Sequence, residues 1–316
     1  MTAGSKAIGR MRIVITGGAG FIGSNIADAL VEKGHDVLVL DDLSSGLAEN
    51  VPEKARLVQL DIRSPEVRSV LGAFQPEVLC HHAAQIDVRR SVADPAFDAE
   101  VNVVGSLRLL ELCRELRTRR VLFASTGGAI YGEQDSFPAT EAHPARPVSP
   151  YGCAKLSVEH YLHYYAVEHG FRCTCLRYAN VYGPRQNPHG EAGVVAIFAN
   201  KLLRGDSAVI NGTGEQTRDF VFVGDVVRAN VAALEHDLVG AYNVGTGIET
   251  SVNALHESIR LASGSSQHAK HAPGKPGEQQ RSCLDAGALT KACGWRAETP
   301  LDAGIAATVR YFQARR

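Results

Sequence analysis

No run of about 18 apolar residues occurs anywhere in the chain, so the sequence offers no membrane-spanning helix. Neither charge is in excess: Lys and Arg number 33, Asp and Glu 34, and the formal net charge is −1. That balance argues against nucleic acid as a partner, which calls for a strongly basic face. No CxxC pair occurs among the seven cysteines at 80, 113, 153, 173, 175, 283 and 293. A disulfide framework and a zinc site are therefore not indicated, and no metal is expected. The expectation is buried structural thiols in a reducing cytoplasm. Residues Met1 to Arg10 are small, polar and basic with no apolar stretch. They give no secretory signal and predict a short disordered lead-in over 1–10. Internal repeats and long low-complexity tracts are also missing.

What is present reads as a globular chain: 316 residues, 45% apolar and 21% charged, enough for one or two domains with a large core. Arg12–Thr16 is a β-branched run that stops at glycine. Gly17-Gly-Ala-Gly-Phe-Ile-Gly23 follows, and then a helix-periodic stretch through Ile26, Ala29 and Leu30. Asp36–Asp41 is a second, fully apolar strand. The alternation continues with strands predicted at 56–61, 77–83, 120–125 and 171–177, and helices near 65–73, 102–116 and 151–169. Apolar strands separated by helices predict an α/β fold with a doubly wound parallel sheet. From Asn180 onward glycine and proline become frequent. The loop Tyr182–Gly193 and the turn Asn211–Gly214 suggest a second, smaller lobe, and 263–282 is the most linker-like segment.

The glycine turn satisfies the dinucleotide fingerprint in two registers, starting at Gly17 or at Gly18. Glycines let the backbone approach a pyrophosphate, which then rests on the N-terminus of the following helix. Asp41 stands 18 residues after Gly23 at a strand end. A carboxylate there accepts from a ribose 2′-OH and repels a 2′-phosphate, favouring NAD over NADP. Asp61-Ile62 ends the next strand and is suited to flank the adenine. Tyr151-Gly-Cys-Ala-Lys155 places a phenol and an ammonium on one helix face. The positive neighbour is expected to lower the Tyr151 pKa and make it a general base. Ser125-Thr126 ends a parallel strand, the edge where ligands bind in such sheets.

These residues spell a resemblance. Thr16–Ser24, His82-Ala-Ala-Gln85, Ser149–Lys155, Arg177–Arg185 and Thr217–Asp225 resemble the extended short-chain dehydrogenase/reductases. Within them the chain is most similar to the NAD-dependent nucleotide-sugar epimerases and dehydratases, over residues 11–312. The resemblance implies a Rossmann domain over 11–176, to which 220–246 returns, and a smaller C-terminal α/β lobe over 177–219 and 247–316 that binds a nucleotide sugar. Gly17, Gly20, Phe21, Ile22 and Gly23 would hold the pyrophosphate, Asp41 the ribose, and Asp61 and Ile62 the adenine. Ala83, Ala84, Gln85, Asn102, Ser125, Tyr178 and Val181 would line the rest of the NAD site. Tyr151 would be the base and Lys155 would bind the nicotinamide ribose. Gln85, Asn180 and Ile210 would contact the substrate, with Arg218 and Arg281 on its diphosphate.

One departure is informative. Ser125-Thr-Gly-Gly-Ala-Ile-Tyr-Gly132 runs one residue longer than the pattern of many members, and Thr126, with Ser125 behind it, is the favoured hydroxyl at the sugar. The family's 4,6-dehydratases place Asp-Glu after that threonine; this chain has Gly127-Gly128. Dehydration is therefore not expected, and C4 epimerisation of a UDP-hexose of the glucose/galactose type is. UDP-N-acetylglucosamine or UDP-glucuronate as substrate, and a net NAD-dependent sugar oxidoreductase, are the alternatives, the first two because Ser282 is a small residue at an expected gate. Apolar stripes on 102–116 (Leu107, Leu110, Leu116) and 151–169 (Ala154, Val158, Leu162, Tyr165) would build a homodimer interface, although packing on the sheet accounts for part of each. His81-His82 point to opposite faces of a strand and do not form a joint ligand pair.

Overall fold

Alternate residues of β1 (Arg12–Thr16) pack into different cores: Ile13 and Ile15 on one face of the sheet, Val14 on the other. β2 (Asp36–Asp41) repeats this, with Val37 and Val39 opposed to Leu38 and Leu40. A strand buried on both faces needs helices on both sides. In the computed structural model, which describes residues 9–188, 193–274 and 279–315, they are there. Residues 1–8 of the expected lead-in, 189–192 of the loop after Tyr182, and Pro276 lie outside the described residues.

After β1 come α1 (Phe21–Glu32), β2, β3 (Arg56–Gln59), α2 (Val67–Phe74) and β4 (Val78–His81). A helical run follows: α3 (Val88–Ala93), α4 (Pro95–Ala99), a π-helical segment Glu100–Val104, and α5 (Gly105–Glu115). Next stand β5 (Arg120–Thr126), α6 (Gly127–Ile130), α7 (Pro150–His169) and β6 (Arg172–Tyr178). The later part holds β7 (Asn180–Tyr182), α8 (Val194–Leu203), β8 (Val209–Asn211), β9 (Thr217–Phe222), α9 (Val223–Glu235) and β10 (Gly240–Val244). It ends with β11 (Glu249–Ser251), α10 (Val252–Ser263), β12 (Lys270–Ala272), α11 (Gly287–Cys293) and α12 (Leu301–Gln313).

Seven strands form one all-parallel sheet in the order β10–β6–β5–β4–β1–β2–β3. The chain moves outward from β1 through β2 and β3, then crosses back to β4 on the other side. The crevice between β1 and β4 is thus the topological switch point, where such sheets bind ligands at the carboxyl edge. β7, β9 and β11 make a separate three-stranded sheet, and β8 pairs with β12. Around them Tyr182, Phe198, Ile210, Phe220, Leu255 and Ile305 form a third core, packed against α8, α10 and α12. All seven cysteines are free, and Cys80, Cys113, Cys173, Cys175 and Cys283 are buried. No helix among the described residues is long and apolar enough to cross a membrane.

The stripe expected to meet a second subunit is used inside the chain. Leu110, Ala154, Val158, Leu162 and Tyr165 are buried, and Leu107 and Leu116 pack against the same core. What α7 leaves exposed is a different row: Tyr161, Tyr164 and Val167.

Candidate active site

At the switch point the backbones of the loops after β1 and β4 nearly touch. Gly17 has φ +69°, and a Cβ built there would stand 2.6 Å from the amide nitrogen of Ala83. A Cβ on Gly23 would lie 2.3 Å from the Gly17 carbonyl. These contacts select the register Gly17-x-x-Gly20-x-x-Gly23 as the one that closes the turn; Gly18 packs on Val39 instead. Gly20 caps α1 without a side-chain hydrogen bond, and its first turn has no acidic residue. The amides of Phe21, Ile22 and Gly23 are thus presented as a helix N-terminus open to a phosphate. Asp41, 6% exposed, accepts from the amides of Ala19 and Leu43, each at 2.9 Å. It ties the glycine turn to the end of β2, and burial raises its pKa. Asp61 lies in an ion pair with Arg63 at 2.6 Å, and Ile62 is buried against the position of Gly105. Cradle, open amides and carboxylate together fit a dinucleotide.

Gly17→Ala tests the cradle. Ala at this φ is strained, and its methyl would collide with the β4 loop. The expected result is a folded protein that no longer carries NAD through purification, read by chromatography of the nucleotide released on denaturation.

Across the crevice, β5 and α7 present the second group. The Ser149 hydroxyl accepts from the Gly152 amide at 3.1 Å and Pro150 occupies the first turn, so α7 starts just before Tyr151. Tyr151 is partly exposed, and its hydroxyl makes no hydrogen bond among the described residues. Lys155 is buried; its ammonium donates to the Ala124 carbonyl at 2.9 Å and stands 5.9 Å from the Tyr151 ring centre. The expected lowering of the Tyr151 pKa is not what this arrangement gives. Burial pushes the phenol up, and the Asp98 carboxylate adds to it. Burial also brings Lys155 down to about 8, against the pull of Asp98 and Glu159. Desolvation outweighs one ammonium at that distance.

Strand alternation separates the two hydroxyls of β5. Thr126 is partly exposed and lies, with Asn180, beside Gly128, whose own place is otherwise open. Ser125 is buried and donates to Glu159 behind the strand, so it does not share Thr126's space. The extra residue after Thr126 is absorbed by the single helical turn of α6, where Gly127 packs on Leu284.

Gln85 is also turned inward. Its amide nitrogen donates to the Asp87 carbonyl and to Asp98, and its oxygen accepts from the Asp87 amide at 2.7 Å. Asn102 clamps the Gln85 main chain, donating at 2.9 Å and accepting at 2.8 Å. Both side chains therefore shape the loop that carries Ala83 and Ala84 along the crevice. Tyr178 is buried with its hydroxyl on Asn230 and His82, and Val181 packs into the core beside it. His81, bonded to Thr16 and Ser106, and His82 do point apart, and burial brings both down to about 3.

In the smaller lobe, Asp219 accepts from the amides of Thr246, Gly247 and Leu284 and so fixes β9, which carries Arg218. Arg218 donates to the Thr217 carbonyl at 2.7 Å. Arg281 holds Glu249 through two nitrogens, at 2.9 and 2.5 Å, and its guanidinium lies 3.8 Å from the centre of the Phe137 ring. The guanidinium pair is thus near strand β11 but partly occupied by this chain's own acceptors. Ile210 and Ser282 are both buried, Ile210 within the lobe's core.

The sequence reading missed Asp98 and Glu159. Each had a signal: Glu159 continues the Tyr151, Lys155 spacing by another four residues, and Asp98 stands four before Asn102. Equal spacing on one helix face brings such groups together.

The profile of the NAD dependent epimerase/dehydratase family matches residues 13–245. The chain belongs to this family. It is 46% identical to the UDP-glucose 4-epimerase of Mycolicibacterium smegmatis, over 96% of this chain and 99% of that one. The solved UDP-glucose 4-epimerase of Thermotoga maritima with UDP-glucose superposes with a TM-score of 0.93 at 44% identity, covering 96% of this chain and 99% of that one. The Thermus thermophilus UDP-glucose 4-epimerase in complex with NAD gives the same TM-score and identity over 97% and 100%.

Proposed function

We propose that this protein is an NAD-dependent isomerase that interconverts a UDP-hexose and its C4 epimer, of the UDP-glucose/UDP-galactose type. The observation that carries the reading is the open Tyr151 hydroxyl beside Lys155, at the carboxyl edge of the sheet and across the crevice from the glycine cradle. Gly17, Gly20 and Gly23 with the amides of α1 hold the pyrophosphate of NAD, and Asp41, whose carboxylate keeps free lone pairs, takes the ribose. Bound NAD supplies the acceptor for the hydride at C4 and a further positive charge at the site. Tyr151 takes the proton of the sugar's 4-OH as the C4–H bond breaks, giving a 4-keto sugar, and returns it when the opposite face is reduced. Lys155 holds the ribose and favours the phenolate. Thr126 and Asn180 hydrogen-bond the sugar; Arg218 and Arg281 take the diphosphate, Arg281 exchanging part of its hold on Glu249. Gly127-Gly128 offers no acid or base for loss of water.

The similar UDP-glucose 4-epimerases of Mycolicibacterium smegmatis and Thermotoga maritima support this substrate class. The test is product analysis with UDP-glucose, UDP-N-acetylglucosamine and UDP-glucuronate in separate tubes, without added NAD. A C4 epimer is expected from UDP-glucose. Turnover that needs added NAD, with NADH formed in step with product, identifies a net oxidoreductase instead.

We also infer a cytoplasmic homodimer. Its support is the exposed row Tyr161, Tyr164 and Val167 on α7, for which a second copy is the natural cover, and the free thiols. Sedimentation equilibrium at twice the chain mass of 33.8 kDa is the expected result. We infer the same two-part division of labour, with NAD held by residues 11–176 and 220–246 and the nucleotide sugar by 177–219 and 247–316.

A further inference from the structure

Beneath Tyr151 and Lys155 lies a carboxylate that the proposed chemistry leaves unused. Asp98, in the short helix α4, is 1% exposed. One oxygen accepts from Gln85 and from Asn102, each at 3.0 Å. The other is buried with no hydrogen-bond partner. Such an oxygen is costly unless a charge or a donor answers it.

The groups around it define what that answer is. α4 packs directly on α7, and from α7 Asp98 is felt by Lys155 and Tyr151. Glu159 also faces Lys155, but it is spent on Arg177 at 2.6 Å and on Ser125. His81, at the end of β4, and His82, just after it, face Lys155 and are kept neutral by burial. Arg90 and Arg63 lie over the ring of Phe97, the residue before Asp98. Only one of the three N–H groups of Lys155 has a hydrogen-bond acceptor among the described residues, the Ala124 carbonyl. The idle carboxylate oxygen and the under-used ammonium are thus both buried, on two helices that pack together, without meeting at ion-pair distance.

We propose that Asp98 is a positioning residue: it is the counter-charge of Lys155, and through Gln85 and Asn102 it locks the loop after β4 to that same charge. The proposal rests on Tyr151 and Lys155 being the reacting pair. Removing the charge has a definite sign. A nearby carboxylate holds a proton on both its neighbours, so its loss lets Lys155 and Tyr151 deprotonate at lower pH. A purely structural role would scale the whole pH profile without moving it.

Asp98→Asn keeps the shape and the oxygen that accepts from Gln85 and Asn102. The expected result is a folded variant that retains NAD and whose kcat–pH profile moves to lower pH by about one unit or more. At the wild-type alkaline midpoint a one-unit shift lowers kcat about fivefold, from half of its maximum to about a tenth. An unmoved profile, or an equal loss at every pH, overturns the proposal. Melting temperatures decide it independently, should Asp98→Asn alone fold poorly. Lys155→Met leaves Asp98 uncompensated, so Lys155→Met/Asp98→Asn is expected to melt above Lys155→Met. A double variant that melts at or below the single one contradicts the pairing. Wild-type protein without epimerase activity would refute the function and leave this stability cycle readable.

Discussion

Tyr151→Phe is expected to lower turnover by about 10²–10⁴-fold, the range lost with a positioned general base, while the protein stays folded and keeps its NAD. The separation of effects follows from the contacts. The Tyr151 hydroxyl is bonded to nothing among the described residues, so its removal breaks no structural hydrogen bond. The ring that remains still packs beside Lys155. Burial and Asp98 hold the phenol protonated in the free protein, so ionisation has to be favoured by cations gathered at the site. Lys155 is one of them, and its own descent to about 8 sets an alkaline limit: above that pH the ammonium is lost and the phenolate loses its partner. Steady-state kinetics with thermal melting checks the prediction. Near-wild-type turnover in Tyr151→Phe would remove Tyr151 from the chemistry.

The second large effect lies behind the same helix. Glu159→Ala is expected to destabilise the protein by about 3–5 kcal/mol, the cost of leaving a buried charge without its partner, and to lower Tm by about 5–10 °C. Arg177 and Glu159 have side chains only 11% and 7% exposed and meet at 2.6 Å. Glu159 also accepts from Ser125, and Arg177 donates to the Tyr131 hydroxyl at 2.9 Å, which in turn donates to Asn243 at 2.8 Å. Together they join β5, β6, α7 and β10 under the candidate site. Glu159→Gln still accepts hydrogen bonds and is expected to lose less; differential scanning calorimetry of both variants separates the charge from the shape.

The sheet was legible in the sequence because its signals are local. Apolar β-branched runs ending at Gly17, at Asp41 and at Thr126 each became a strand of the parallel sheet, and the glycine spacing marked the turn at its switch point. Side-chain direction was less legible. Ser125 and Thr126 are neighbours in sequence, yet one meets Glu159, 34 residues away, and the other lies with Asn180 beside Gly128. Gln85 looked available, but Asp98, 13 residues on, and its own loop claim its amide. The stripe of Val158, Leu162 and Tyr165 had the period of an interface and was taken by the core instead. The sign of the Tyr151 shift depended on burial, which spacing alone does not contain.

The most direct measurement follows a label on the reacting carbon. UDP-[4-²H]glucose is incubated in ordinary water with the protein as purified, without added NAD, and the product is read by NMR. The account predicts UDP-galactose that keeps its deuterium at C4, because the hydrogen leaves and returns inside one closed site. Deuterium lost to solvent, or product formed only when NAD is added and NADH accumulates with it, would contradict it.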